Sequence, residues 1–384
     1  MRCDLFCSVV DNFGDIGICW RLARQLQHEH QWQVTLWVDD LVSFQKICHG
    51  INPDFATQQQ QQVLIRHWTA VLPELSQADK PDLVIEALAC TIPSCYLHWM
   101  ASFTEKPLWL NLEYLSAEDW VHGCHALPSP HPQLPLQKYF FFPGFTPQTG
   151  GLLREQGLIE SLTKTSATAE LQQQFWCSLG LADAMDYQQK ISLFAYSQAA
   201  IEPWLNQLAA AEQTTLLLVP QGQLATDLTQ LFSELKTGRL DIKSLSIRIL
   251  DFVPQPEYDK LLACCDINFV RGEDSVIRAH WAAKPFVWQI YRQDEQAHLI
   301  KLQAFLDRYL QQASEQQKDC LQKLHMAWNL EQDISEEFAL FSNLTEQIQK
   351  HNKKWQEYLI QQQDLASNLV RFSENKLIMS RNFS

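Results

Sequence analysis

The chain has 384 residues, of which 46% are hydrophobic and 19% charged, and its formal charge is −14. This length suits two domains of ordinary size, and the composition is that of a folded globular chain, not a disordered one. No basic stripe appears and no run of roughly 18 or more apolar residues exists, so neither nucleic acid nor a membrane is an expected partner.

The 11 cysteines are odd in number and include no C-x-x-C pair. They read as small buried residues in a reducing compartment. Asp4 and Asp11 interrupt the first apolar run, which argues against a secretory leader. Together these readings give the expectation of a cytoplasmic protein.

The first unit opens with Leu5–Val10 as a buried strand. The loop Asp11-Asn12-Phe13-Gly14-Asp15-Ile16-Gly17 follows. Ile16, Cys19, Trp20, Ala23 and Leu26 then recur at helical spacing. Asp11 therefore ends a strand, and Asp15 sits at or near a helix N-cap, with Gly14 and Gly17 permitting a tight turn. The pattern is not G-x-G-x-x-G, so it does not read as a dinucleotide fingerprint. Residues 33–38, 63–68, 82–86 and 107–113 are further strands, and Asp39-Asp40 ends the first of these. The glutamine run 58–62 reads as a surface loop or helix edge. The proline-rich stretch 127–151, closed by Gly150-Gly151, reads as a long ordered loop or linker. The aromatic cluster 139–142 within it reads as packing.

A second α/β run follows. Residues 171–179 read as a helix, and 191–196, 215–219 and 247–250 as strands, the first carrying Phe194 and Tyr196. Residues 251–256 lead into a helix over 258–264. Asp266–Val270 is then a strand broken by Arg271-Gly272-Glu273-Asp274. Ser275 opens a helix that ends at Lys284-Pro285, and 286–291 is the next strand. A strand entering a helix N-terminus offers unpaired N–H groups and a positive dipole end, which suit a phosphate. Arg271 can add a charged fork and Ser275 a hydroxyl. The same features also describe a simple capped helix in any α/β domain. Beyond residue 294 the pattern is helical only: one helix around residues 299–310, a longer one over 334–355, and a fraying polar tail. Strands alternating with helices imply parallel sheets.

Four segments carry a family resemblance. They are Asp11–Arg24, Leu36–Asp40, Asp251–Gln255, and Arg271–Ser275 with Trp281–Trp288. In this order they resemble EarP, the protein-arginine rhamnosyltransferases of elongation factor P, over essentially the whole chain. The resemblance implies a GT-B glycosyltransferase with two doubly wound Rossmann-like domains facing a cleft. The domains would span residues 1–150 (the acceptor-protein side) and 151–365 (the nucleotide-sugar side). The terminal helices would pack back on the first domain, and 366–384 would form a tail. It implies inverting transfer of rhamnose from dTDP-β-L-rhamnose to an arginine of elongation factor P, without a metal or other cofactor.

A nucleotide sugar needs a base platform, diphosphate donors and a carboxylate near the sugar. Phe194, Tyr196 and Phe252 can offer aromatic faces, worth about 1–3 kcal/mol per stacked base. Gln255 can read a base edge or ribose. Arg271, Gly272, Asp274 and Ser275 can cradle the diphosphate and sugar, with Asn12, Phe13 and Gly14 bordering the donor from the first loop. The acceptor guanidinium has a pKa above about 12, so neutralising it in advance would cost roughly 8 kcal/mol. Proton loss must therefore accompany C–N bond formation. Asp15 is the expected base, Asp11 orients the guanidinium or shares that role, and Glu273 holds the guanidinium or stabilises charge at the sugar carbon. Two rival readings are a GT-B enzyme with another nucleotide sugar or acceptor, and a non-catalytic nucleotide-sugar-binding protein.

Overall fold

The computed structural model describes residues 1–10, 13–69, 72–73, 75–293 and 296–382. The chain divides into two units, Met1–Gln156 with Gln361–Ser384, and Gly157–Ile360.

In the first unit β1 (Arg2–Cys7) leads into α1 (Gly14–His30), β2 (Gln33–Val38) and α2 (Leu41–Ile47). The chain continues through β3 (Thr57–Gln60), β4 (Val63–His67), β5 (Leu83–Ala87), α3 (Ser94–Ser102) and β6 (Leu108–Leu112). It then runs through α4 (Val121–Cys124), β7 (Pro128–Pro130) and β8 (Gln137–Phe141). The eight-stranded sheet has the order β3-β4-β2-β1-β5-β6-β8-β7. Its central strands are parallel and its two edges antiparallel. β1 lies between β2 and β5, where the winding reverses, and in such sheets the C-terminal ends of strands at that point line the ligand crevice. The sheet is held by stacked rings. Phe6 lies flat on Trp37 at 5.3 Å, and Tyr96 meets Phe6 edge-on at 4.7 Å. Beneath them Tyr96 donates its hydroxyl to the buried Asp4 at 2.5 Å.

The second unit begins with α5 (Leu158–Ala167), α6 (Ala169–Ser178), β9 (Gln189–Leu193), α7 (Glu202–Ala210) and β10 (Thr215–Pro220). It continues with α8 (Gln223–Leu231), β11 (Arg239–Ile242), β12 (Leu245–Leu250), α9 (Gln255–Cys264), β13 (Ile267–Arg271), α10 (Asp274–Ala282) and β14 (Phe286–Gln289). Four helices follow: α11 (Ala297–Tyr309), α12 (Glu315–Asn329), α13 (Ser335–Asn343) and α14 (Thr345–Ile360). The strand order is β11-β12-β10-β9-β13-β14, so the reversal falls between β9 and β13. Trp204, Phe269, Trp328 and Phe338 pack ring against ring over this sheet. Both units are thus doubly wound α/β sheets, as the alternation of strands and helices predicts. Among the described residues no helix is long and apolar enough to cross a membrane.

Several local expectations are corrected. The glutamine run is the edge strand β3 and its turn, with Gln61 and Gln62 in the left-handed region at φ 47° and 66°. The stretch 127–151 contributes β7 and β8 to the sheet instead of leaving it as a linker. The long helix expected over 334–355 is two helices, α13 and α14, meeting at Leu344. The residues expected as a tail form α15 (Leu365–Asn382), which belongs to the first unit and buries Leu365, Ala366 and Leu369.

Candidate functional site

In the first unit, β1 ends at Cys7, earlier than the expected Val10, and side chains hold the residues that follow. The Trp68 indole donates to the Cys7 carbonyl at 3.0 Å. The Ser8 hydroxyl and the Val9 N–H donate to the two carboxylate oxygens of Asp39, at 2.5 and 2.9 Å. The Val10 N–H donates to Asp15 at 2.9 Å. Strand geometry is lost there because the backbone pairs with side chains instead of a neighbouring strand. Asp15 is in the first turn of α1, whose N-cap is Phe13 with no side-chain cap bond. Its carboxylate reaches back to the incoming chain, and the residue is only 3% exposed. A carboxylate in a first turn also meets the positive end of the helix dipole. Gly14 begins the helix, and the Phe13 ring lies 5.5 Å beneath the Lys46 ammonium. Asp11 and Asn12, expected as acceptor and donor contacts, lie outside the described residues. Sequence reasoning gave Asp39 no role, although it stands in the acidic pair closing β2 and in the resembling segment Leu36–Asp40.

In the second unit, β9 stops at Leu193, so Phe194 and Tyr196 stand beyond its end, at the reversal of the sheet. β13 ends in Arg271, next to β9 in the sheet. Gly272 follows at φ 62°, a conformation that favours glycine, and its N–H donates to the Gln289 carbonyl at 3.0 Å. Its own carbonyl accepts from the Trp288 indole at 2.7 Å. Glu273 is the N-cap of α10, without a side-chain cap bond, and Asp274 is its first residue. The buried Ser275 hydroxyl accepts from the Arg271 N–H at 3.0 Å and donates to the Arg271 carbonyl. Ser275 thus staples the turn that presents the helix N-terminus.

The Arg271 guanidinium lies 4.4 Å from the Phe194 ring centroid and 4.7 Å from that of Tyr196. One of its N–H groups donates to the Ala195 carbonyl at 3.3 Å. Each cation–ring contact is worth about 0.5–2 kcal/mol. Two of the three rings expected as base platforms, Phe194 and Tyr196, therefore stack on the arginine in this structure. The Tyr196 N–H is fixed by the Gln289 amide oxygen at 2.8 Å. Gln255 is the first residue of α9 and is buried, and Phe252 is half-buried in the loop before it. Tyr258, three residues past Gln255, meets Phe194 edge-on at 5.7 Å. Burial drives its phenol pKa upward, against a weaker lowering by Ser275, so it stays a neutral hydroxyl. Tyr258 and Gln289 were also missed, although helical spacing from Gln255 places Tyr258 over the same turn.

The second-unit cluster combines a glycine turn, a helix N-terminus and a buried arginine whose planar edge carries several N–H donors. That arrangement suits a diphosphate. The first-unit cluster offers a buried carboxylate fixed to the chain that enters α1.

Residues 3–374 match the model of the family described as Elongation-Factor P (EF-P) rhamnosyltransferase EarP. A protein-arginine rhamnosyltransferase of Pseudomonas putida is 46% identical, with 97% of this chain and 99% of that protein covered. One from Pseudomonas aeruginosa is 42% identical, with 96% and 98% covered. A solved structure described as the structural basis for EarP-mediated arginine glycosylation of translation elongation factor EF-P superposes with a TM-score of 0.70 at 31% identity. It covers 97% of this chain and 99% of its own. That match extends over both α/β sheets, in keeping with the GT-B architecture expected from the sequence. The chain therefore belongs to the EarP family of protein-arginine rhamnosyltransferases.

Proposed function

We propose that this protein moves L-rhamnose from dTDP-β-L-rhamnose to an arginine side chain of elongation factor P in the cytoplasm, inverting the anomeric carbon and using no metal. The reading rests chiefly on family membership along residues 3–374. The turn joining β13 to α10 supports it, because it supplies positive charge where a metal would otherwise be needed. In this reading the N-terminus of α10 and the edge of Arg271 hold the diphosphate, and Gln255 and Phe252 hold the nucleoside. Glu273 and Asp274 flank the sugar. Asp15 takes the proton as the guanidinium nitrogen bonds to the anomeric carbon and dTDP departs.

The test is intact-mass measurement of elongation factor P after incubation with this protein and dTDP-rhamnose in excess EDTA. A gain of one deoxyhexose, lost when the acceptor arginine is replaced, is the expected result. If another nucleotide sugar modifies the acceptor while dTDP-rhamnose does not, the donor assignment is wrong. If turnover returns only with added magnesium or manganese, the metal-free route is wrong.

A further inference from the structure

α9 and α10 are tied by an ion pair that the proposed chemistry does not use. The Arg278 guanidinium grips Asp259 as a fork, Nε on one carboxylate oxygen at 3.0 Å and a terminal nitrogen on the other at 2.7 Å. Both side chains are out of water, at 0% and 5% exposure. Their position along the helices is the informative part. Asp259 follows Gln255, the first residue of α9, by four residues, and Arg278 follows Asp274, the first residue of α10, by four. Residues four apart share a helix face, so each partner lies one turn, about 6 Å, below the first residue of its helix. A bidentate fork fixes both separation and rotation, because its two hydrogen bonds must be met in one plane. The two helix starts are therefore locked to each other at equal depth.

Stability alone is a weak reason to bury charges here, since apolar residues of similar volume often serve a core as well or better. We propose that the Asp259–Arg278 pair is a positioning device for the donor site. It sets the spacing between Gln255 at the start of α9 and Asp274 and Ser275 at the start of α10, and hence between the nucleoside end and the diphosphate end of one ligand. The inference rests on the donor placement given above. Neither residue touches the donor; they act through the helices that do.

Calorimetric titration of the full chain with dTDP tests it, alongside thermal melting and steady-state kinetics. Arg278→Met alone strands a buried carboxylate and lowers the melting temperature. Adding Asp259→Leu restores melting to near the native value, because no uncompensated charge remains. If the pair positions the site, this double variant still binds dTDP about tenfold or more weakly, since preorganisation is lost. Its KM for dTDP-rhamnose rises in parallel while its KM for the acceptor protein does not. Native-like dTDP affinity in a folded double variant overturns the proposal and leaves the pair merely structural. Should the double variant not fold, Asp259→Asn takes its place. It keeps the shape and loses the charge, and unchanged affinity in it is equally fatal. Arg271→Ala separates the two levels of inference. If it binds dTDP normally, the donor placement fails and this inference falls with it. If it loses binding while the pair variants keep theirs, the pair alone is misread.

Discussion

At the scale of single residues, the candidate base is the sharpest case. Asp15 accepts a hydrogen bond from the Val10 N–H and sits in the first turn of α1. Asparagine can keep that bond through its amide oxygen, and the charge–dipole term lost in Asp15→Asn is about 0.3–1 kcal/mol. As a general base it would matter far more, by about 100- to 10,000-fold in rate. Asp15→Asn is therefore expected to melt close to the native temperature and to bind dTDP normally, while transferring almost no rhamnose. Turnover within a few-fold of native would move the base role to Glu273 or Asp11. The sequence located Asp15 and the turn Arg271–Ser275 because each combines a glycine with charged residues where a strand meets a helix. It did not reveal that Ser275 is spent on the Arg271 backbone or that Asp39 holds Ser8 and Val9. Such roles depend on which chain ends meet in space, and neither spacing nor residue type encodes that.

At the scale of elements, the buried parallel strands were legible because they are short continuous apolar runs between helical periods. The edge strands β3, β7 and β11 were not. All three pair on one side only; TQQQ and PSP carry no apolar residue, and RLDI alternates over only four residues, too short a run to stand out. α15 was misread for a related reason. Its buried stripe is short, with Leu365, Ala366 and Leu369 followed by the buried Ser373, and polar residues surround it. Tertiary contacts hold it in place: the Leu365 N–H donates to the Leu152 carbonyl at 2.9 Å, and the Asn368 amide donates to the Gly150 carbonyl at 3.0 Å. Gly151 makes this approach possible. Its φ is 79°, and a Cβ there would lie 2.5 Å from the Gln363 carbonyl oxygen. Gly151→Ala thus meets both backbone strain and a clash with main chain, which together should cost on the order of 2–4 kcal/mol. Hydrogen exchange is the fitting measurement, with α15 amides losing protection before those of β1. Native protection in α15 would mean that the helix does not depend on this crossing.

At the scale of the whole molecule, the two units differ in how they should respond to acid. Burial lowers the pKa of His280 to about 3 and of His325 to about 4 in the second unit, and lowers those of His298 and His351 as well. Aromatic rings and helix backbone surround these imidazoles, with Phe286, Phe305 and Trp355 about His280. A histidine whose folded pKa lies below its unfolded value of about 6.5 leaves the native state with fewer bound protons in between. Stability is then fully present above pH 6.5 or so and falls as the pH drops toward the folded value, by about 1.4 kcal/mol per pH unit for each such residue. Among the described residues of the first unit one histidine behaves comparably, His125, lowered to about 4 by burial. The first unit also has Asp4, whose pKa is raised by burial more than its hydrogen bond to Tyr96 lowers it. A carboxyl with a raised folded pKa binds more protons in the native state, so it offsets part of the loss as the pH falls. Most carboxylates titrate below about pH 4.5, so the interval from pH 7 to 5 isolates the histidines. Over that interval, amides in β9, β10 and β13 should lose exchange protection faster than those in β1, β2 and β5, after correction for the intrinsic pH dependence of exchange. Replacing His280 by phenylalanine, which suits its ring-lined pocket, should reduce the second unit's slope by roughly one proton. Equal loss in both units, or a slope unchanged by His280→Phe, would show that these imidazoles are not what makes the protein sensitive to acid.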